Sequence, residues 1–178
     1  MTELHLPDLG PAPELATNRW LNSHGQAISL SQLRGQVVAI EAFQMLCPGC
    51  VSHGLPQAQR LARTFGDRGL VVLGLHSVFE HHAAMTPTAL EAFIHEYRIG
   101  FPVAVDQPGA DGSPLPETMR RYALRGTPSL LLIDAAGRLR ANHFGAVDDL
   151  ELGAQVAMLL AEAGSTAGNS PARDRVVA

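Results

Sequence analysis

Residues 37–65 have the sequence VVAIEAFQMLCPGCVSHGLPQAQRLARTF, which contains both cysteines of the chain. The first seven residues, Val37–Phe43, are almost all apolar and partly β-branched, a pattern that predicts a buried strand. From Pro48 to Phe65 apolar residues recur at helical spacing, and Pro56 predicts a kink in that helix. Cys47 and Cys50 therefore lie where a strand passes into the first turn of a helix.

Strands and helices alternate along the rest of the chain. Apolar runs predict strands at residues 70–75, 101–105, 129–133 and 139–144. Helices are predicted after Thr86-Pro87, near residues 117–122, and after Asp148, where Glu151 completes a capping-box pattern. Residues 19–30, with a turn at 22–25, predict a leader hairpin, and residues 107–116 predict an exposed loop rich in proline and glycine.

The length and composition favour one domain. The chain has 178 residues, of which 46% are hydrophobic and 17% charged, enough for one substantial core. We expect this domain to span residues 1–163. Residues 164–178 are small, polar and aperiodic, as in a flexible tail.

Charge and hydropathy exclude several classes of function. The net charge is -4 and the 13 Lys and Arg residues are scattered, so no basic stripe is available for nucleic acid. No apolar run approaches the roughly 18 residues that cross a bilayer, and residues 1–20 carry acids and prolines where a signal peptide is apolar. We therefore expect no membrane partner and a cytoplasmic location. Two cysteines, three positions apart, fit neither a disulfide scaffold nor a four-ligand zinc site.

The order of elements carries a resemblance to a known family. Glu41 lies six residues before Cys47, and the later strand hairpin follows Gly126-Thr127-Pro128. With a Cys-x-x-Cys at a strand-to-helix junction, this resembles the thioredoxin superfamily, and specifically its TlpA-like and redoxin (AhpC/TSA-related) branch. The resemblance covers roughly residues 12–163. It implies an α/β, thioredoxin-like fold: a central mixed sheet flanked by helices, with an N-terminal hairpin and a central insertion.

The resemblance also implies roles for individual residues. Glu41 is expected to be buried beneath the cysteine pair, and Pro128 to face the pair through a cis peptide bond. Gly126, Thr127, Pro128 and Leu46 are expected to contact the substrate. The sequence departs from the family pattern at Leu46, where tryptophan is usual, at the dipeptide Pro48-Gly49, and at Pro56, one residue farther from Cys50 than usual.

The spacing of the cysteines has a chemical reason. A thiol in the first turn of a helix meets unpaired N–H groups and the positive end of the helix dipole, and both favour thiolate over thiol. Cys47 is therefore predicted to be the nucleophile, and Cys50, one turn later, the thiol that resolves a mixed disulfide. A buried Glu41 is placed to exchange a proton with Cys50.

The sequence also allows other interpretations of these residues. The cysteines are either redox-active or inert core residues, and a metal site with Cys47, Cys50 and His53 or His76 is conceivable. Met45 and Leu46 form either core or an apolar rim for a partner. His81 and His82 are expected in a solvated loop, and His76 is as consistent with a structural role as with a functional one.

Three functions compete on this fold. The best supported is a dithiol oxidoreductase that reduces disulfides in protein substrates, with Cys47 and Cys50 as a redox disulfide, no other cofactor and no metal. Its partners are a protein disulfide and an unidentified thiol electron donor, and we expect a monomer or weak homodimer. A thiol peroxidase is the first rival, but Ile40 and Gln44 stand where that family has proline and threonine. A non-catalytic binding module is the second, and the retention of both cysteines disfavours it.

Overall fold

A mixed sheet of six strands lies at the centre of residues 5–168, the part of the chain that the computed structural model describes. Its strands are β1 (Arg19–Leu21), β2 (Val37–Phe43), β3 (Leu70–His76), β4 (Val103–Val105), β5 (Ser129–Ile133) and β6 (Leu139–Phe144). They are ordered β1-β4-β3-β2-β5-β6. β2, β3 and β4 are parallel, whereas β1, β5 and β6 pair antiparallel to their neighbours. This is the predicted thioredoxin-like α/β fold.

Helices cover both faces of the sheet. They are α1 (Leu55–Phe65), α2 (Pro87–Glu96), α3 (Glu117–Arg121) and α4 (Asp149–Gly168). Apolar residues of α1, α2 and α4 pack with one face of β2 in one core cluster. Residues of α3 and of the N-terminal leader pack with the opposite face in a second cluster. The central strand is thus buried on both sides, as expected for parallel strands.

The alternation of side chains along β2 determines where its one charged residue lies. All seven residues of the strand are buried. Val37, Ala39 and Phe43 belong to the cluster that includes α1, whereas Val38, Ile40 and Ala42 belong to the other. Successive side chains of a strand point to opposite faces, so Glu41 lies on the same face as Val37 and Phe43. That face also contains Cys50.

Two predicted helix starts are confirmed by their capping contacts. The hydroxyl of Thr86 accepts a hydrogen bond from the N–H of Ala89 at 3.2 Å. The carboxylate of Asp148 accepts from Leu150 and Glu151 at 2.9 and 3.2 Å. Only half of the predicted capping box forms, because the Glu151 carboxylate accepts from Gln155 one turn later.

The leader hairpin was predicted wrongly. Residues 22–25 do form a turn, closed by a bond from the N–H of Gln26 to the carbonyl of Ser23, but residues 26–30 form no strand. β1 pairs instead with β4, and the side chain of Asn22 donates to the carbonyls of Ile99 and Phe101. The edge of the main sheet thus satisfies the backbone groups that a hairpin partner would have satisfied.

The bounds of β4 and α4 also differ from the sequence prediction. β4 begins at Val103 and not at Phe101, since Pro102 has no N–H to donate to the ladder. α4 continues to Gly168, five residues past the domain end predicted at Ala163. The remainder of the predicted tail, residues 169–178, lies outside the described residues. No helix among residues 5–168 is long and apolar enough to cross a membrane.

Candidate active site

Cys47 and Cys50 occupy different environments at the start of the helix that follows β2. Both are free thiols, Cys47 partly exposed and Cys50 fully buried. The Sγ atom of Cys47 accepts a hydrogen bond from the N–H of Cys50 at 3.2 Å and lies 3.4 Å from the carbonyl oxygen of Thr127. Two causes raise the pKa of the Cys50 thiol: burial, which is the larger, and its hydrogen-bond contact with Cys47. The pair thus consists of an accessible thiol and a shielded one.

The helix that follows Cys47 contains an irregular turn near its start. Residues Cys50–Gly54 form a π-helical turn in which the N–H of Leu55 bonds to the carbonyl of Cys50, five residues back. Regular α-helix resumes at Leu55, and Pro56, which has no N–H to donate, lies just after the π turn. A π turn holds one residue more than an α turn. The irregularity thus lies before the proline, and it accommodates the extra residue between Cys50 and Pro56.

Glu41 is buried beneath this turn, as the sequence predicts. It is 1% exposed, and among residues 5–168 its Oε1 atom has no hydrogen-bond partner. A Cβ atom placed on Gly54 would lie 2.1 Å from that oxygen, so the carboxyl group occupies the space that a side chain at Gly54 would need. Burial raises the pKa of Glu41 well above its usual value, and negative charge on Cys47 raises it further.

The segment before β5 covers the helix start from the other side. The Thr127–Pro128 peptide bond is cis, as the resemblance implies. A Cβ atom on Gly49 would lie 3.2 Å from Cδ of Pro128, and one on Gly54 would lie 2.9 Å from its Cβ. Pro128 therefore packs against both glycines of the cysteine turn. The carbonyl of Gly126 accepts a hydrogen bond from the hydroxyl of Ser129 at 2.8 Å, which holds the segment in place.

An apolar rim surrounds the accessible thiol. Leu46 is 57% exposed, whereas its neighbour Met45 is buried in the core, so only Leu46 can meet a partner. Phe144, at the end of β6, is 46% exposed and lies beneath the guanidinium group of Arg125, 5.0 Å from the ring centroid. A Cβ atom on Gly126 would lie 2.8 Å from the Phe144 ring, which places that ring beside the Gly126–Pro128 segment.

The histidines separate into buried and exposed ones. His81 and His82 are exposed, as expected of a solvated loop. His76 is buried at the end of β3, and burial lowers its pKa to about 4. Nε2 of His53 and Nε2 of His76 are buried without a hydrogen-bond partner in the described part of the chain. Within that same part, no group of three or more His, Cys, Asp or Glu side chains could hold a metal ion.

Sequence reasoning did not single out two residues that the structure brings to the site. Gly54 has ordinary helical dihedral angles, so its role is to leave room for Glu41, and no local pattern reveals that. Gln44, noted only as a replacement for threonine, is buried; its carbonyl oxygen accepts from the N–H of Phe79 at 3.1 Å. It thereby holds the segment after β3 against the cysteine loop.

The site can be compared with known proteins. The model of the AhpC/TSA family matches residues 10–142 of the chain. A thioredoxin-like superfamily protein named SPOA0173 has a solved structure that is 60% identical, with a TM-score of 0.81 over 85% of this chain and 96% of its own. A thiol-disulfide isomerase from Corynebacterium glutamicum is 51% identical, with a TM-score of 0.80 over 85% and 97% of the two chains.

A curated relative is much longer than this chain. Protein DipZ of Mycobacterium tuberculosis is 32% identical over 145 residues, which are 80% of this chain and 20% of DipZ. The chain therefore spans about one fifth of the length of that relative.

Replacing Gly54 with alanine tests the contact beneath the cysteine turn. We expect Gly54→Ala to lower the free energy of unfolding by about 1–3 kcal/mol, because the added methyl group overlaps the Glu41 carboxyl and Pro128. Urea unfolding measures the change. Gly66→Ala is the matched control: no atom lies within 4 Å of its added Cβ, so its effect should stay within about 0.5 kcal/mol. Equal stability of the two variants would contradict the close packing described for Gly54.

Proposed function

The chain belongs to the AhpC/TSA family and is a thioredoxin-type thiol-disulfide oxidoreductase, and we propose that it uses Cys47 and Cys50 to reduce disulfide bonds in protein substrates. One observation carries this proposal: a partly exposed thiol that accepts a backbone N–H bond lies beside a fully buried thiol at a helix start. An accessible nucleophile paired with a shielded thiol is what a two-step exchange requires.

The reaction proceeds in two exchanges. The Cys47 thiolate attacks one sulfur of the substrate disulfide, a bond forms between Cys47 and that sulfur, and the other substrate sulfur leaves as a thiolate. The Cys50 thiolate then attacks Sγ of Cys47, which releases the first substrate sulfur and leaves a Cys47–Cys50 disulfide. The substrate gains two electrons and two protons. A thiol donor returns them to the protein by the same exchange in reverse.

We propose that Glu41 accepts the proton that Cys50 loses in the second exchange. Negative charge on Cys47 is one of the two causes that raise the pKa of Glu41. That charge disappears when Cys47 enters the mixed disulfide, so the pKa of Glu41 falls at the moment when Cys50 must lose its proton. As its pKa falls, Glu41 releases its own proton to solvent, and the resulting carboxylate accepts the proton of Cys50, directly or through water, as a general base. Burial, the larger cause, stays in place, so the group is protonated again at the end of the cycle.

The rim around Cys47 supports a polypeptide as the substrate. Leu46 offers exposed apolar surface next to the nucleophile, and Gly126, Thr127 and Pro128 form the opposite wall of the site. A small-molecule disulfide would need no such surface. The direction of the reaction depends on the compartment: in a cytoplasmic location, which is part of this proposal, the thiol pool would keep the pair reduced and make the protein a reductase.

Single cysteine variants test the order of attack. We expect Cys50→Ser to accumulate a mixed disulfide between Cys47 and a disulfide-containing peptide, because the second exchange cannot occur. Cys47→Ser should form about 100-fold less adduct, since Cys50 is buried. Mass spectrometry without reductant measures both adducts. Preferential trapping by Cys50 would reverse the assigned roles, and no adduct in either variant would argue for a binding module.

A variant of Glu41 tests the proton step. Glu41→Gln should slow turnover of a disulfide peptide about 100-fold, the lower end of the range for general acid–base catalysis. It should leave alkylation of Cys47 by iodoacetamide largely unchanged, because the first attack does not need the carboxyl group. Glu96→Gln, an exposed position, is the control. If Glu41→Gln left turnover unchanged between pH 6 and 9, Glu41 would have no part in the proton transfer.

The same variant has a pH-dependent effect on stability. A folded-state pKa above the usual 4.5 means that ionisation of Glu41 is easier in the unfolded chain. The resulting loss of stability is absent below about pH 4.5 and grows as the pH rises towards the folded pKa. Glu41→Gln removes this loss, so its gain in the free energy of unfolding should be larger at pH 8 than at pH 5 in urea titrations.

The rate of peroxide consumption distinguishes a thiol peroxidase from the proposed thiol-disulfide oxidoreductase. Gln44 stands where the peroxidase pattern has a threonine hydroxyl, and its side chain is engaged with Phe79 and Glu80. We therefore expect slow oxidation of Cys47 by micromolar hydrogen peroxide in stopped-flow measurements, about 100-fold or more slower than exchange with a peptide disulfide. Rapid peroxide turnover would reassign the protein to the thiol peroxidases.

A further inference from the structure

An arginine lies at the border of the cysteine site. Arg125 comes directly before the Gly126–Pro128 segment, and the carbonyl oxygen of Thr127 in that segment lies 3.4 Å from Sγ of Cys47. Because a chain advances at most about 3.6 Å per residue, the Cα atoms of Arg125 and Thr127 lie within roughly 7 Å of each other. The side chain of Arg125 is exposed. A polypeptide whose disulfide meets Cys47 can therefore reach it.

The ring of Phe144 restrains this side chain. The guanidinium carbon of Arg125 lies over the ring, 5.0 Å from its centroid, and the ring packs in turn against Gly126. A cation over an aromatic face is attracted by the electrons of the ring. That attraction holds the guanidinium group beside the Gly126–Pro128 segment, but it offers no oxygen acceptor to the five N–H donors of the group.

Within the described part of the chain, no carboxylate pairs with Arg125. The two acids at the start of α4, the helix that follows β6, are engaged elsewhere. Asp148 caps the helix, and Asp149 accepts hydrogen bonds from two side chains of α1. On the side of the cysteine loop that faces β3, Glu80 lies 3.4 Å from the side-chain amide of Gln44. The guanidinium group is thus a restrained, exposed cation with free donors next to the nucleophile.

We propose that Arg125 selects polypeptide substrates that carry an aspartate or glutamate within three residues of the disulfide cysteine. A guanidinium group pairs with a carboxylate through two parallel N–H···O bonds, a geometry that a neutral amide does not match. The exposed apolar surfaces of Leu46 and Phe144 give the same peptide a place to lie beside the thiol. This selectivity rests on the proposed disulfide exchange and states which disulfides it favours.

The pairing must act locally. The chain has a net charge of -4, which repels an acidic partner over the surface as a whole. At about 0.1 M ionic strength, charges separated by more than roughly 10 Å are largely screened, whereas two charges in contact still interact. An exposed ion pair raises an affinity by up to about 5-fold. The expected selectivity is therefore of that size, and it decreases as salt is added.

Disulfide peptides that differ at one position test this selectivity. Glu or Gln is placed in turn at each position within three residues of the cysteine, on either side. At low ionic strength we expect one position at which kcat/KM for Glu is about 3- to 5-fold above that for Gln. About 0.5 M NaCl should remove most of this difference, because it screens the exposed pair. Arg125→Gln should lower the value for the Glu peptide to that for the Gln peptide.

Arg63→Gln is the charge-matched control. Arg63 is exposed in the last turn of α1, roughly 12 Å along the helix from its start, so its removal changes the net charge equally but should leave the Glu preference intact. A preference lost equally in both variants would reflect net charge and would overturn the role of Arg125. A preference that survives Arg125→Gln, or equal kcat/KM for Glu and Gln at every position, would overturn it as well.

Two further outcomes distinguish this proposal from the proposed function. Turnover of no peptide by the wild-type protein would refute disulfide exchange itself, whereas turnover without a charge preference would refute only the selectivity. Glutathione disulfide, a small disulfide that also carries carboxylates, is assayed in parallel. If Arg125→Gln slowed its turnover and left that of the Glu peptide unchanged, the carboxylate that Arg125 recognises would belong to a small molecule, and the polypeptide substrate of this proposal would be wrong.

Discussion

The packing of the Glu41 carboxyl group against Gly54 sets the distance between the central strand and the helix that carries the cysteines. A side chain at Gly54 would overlap the carboxyl oxygen, and Pro128 closes the same space from the other side. The turn that follows Cys50 can therefore approach β2 only because residue 54 has no side chain. The close approach accompanies the burial of Cys50 and of Glu41, and burial is the main cause of the raised pKa of each group.

The parallel arrangement of β2, β3 and β4 places the other features of the molecule on the same edge. The carboxyl ends of parallel strands lie together, and ligands of open α/β sheets bind outside those ends. β2 ends before the cysteine loop, and β3 and β4 end in His76 and Val105, which line a cavity of about 550 Å³. Gln44 joins the two regions, since its side chain contacts the segment after β3.

The parts of the fold that depend on local pattern could be predicted from the sequence. β2, β5 and β6 have the predicted bounds, because uninterrupted apolar runs between turns leave few alternatives. The leader hairpin was predicted wrongly because the partner of β1 is β4, about 80 residues later, and tertiary pairing leaves no local signal. At the site, burial of Glu41 could be predicted from its offset to Cys47. The role of Gly54 and the burial of His76 could not, since each depends on what packs against the residue.

Burial keeps two ionisable groups of this edge neutral, and their effects on stability oppose each other. His76 has a folded pKa of about 4, below its usual 6.5, so the unfolded chain binds protons more readily. Its contribution is complete above about pH 6.5 and is lost as the pH falls towards 4. Glu41 has a folded pKa above 4.5, so its contribution is complete below that value and is lost as the pH rises. The edge that carries the thiols is thus most stable at intermediate pH, where both groups are neutral.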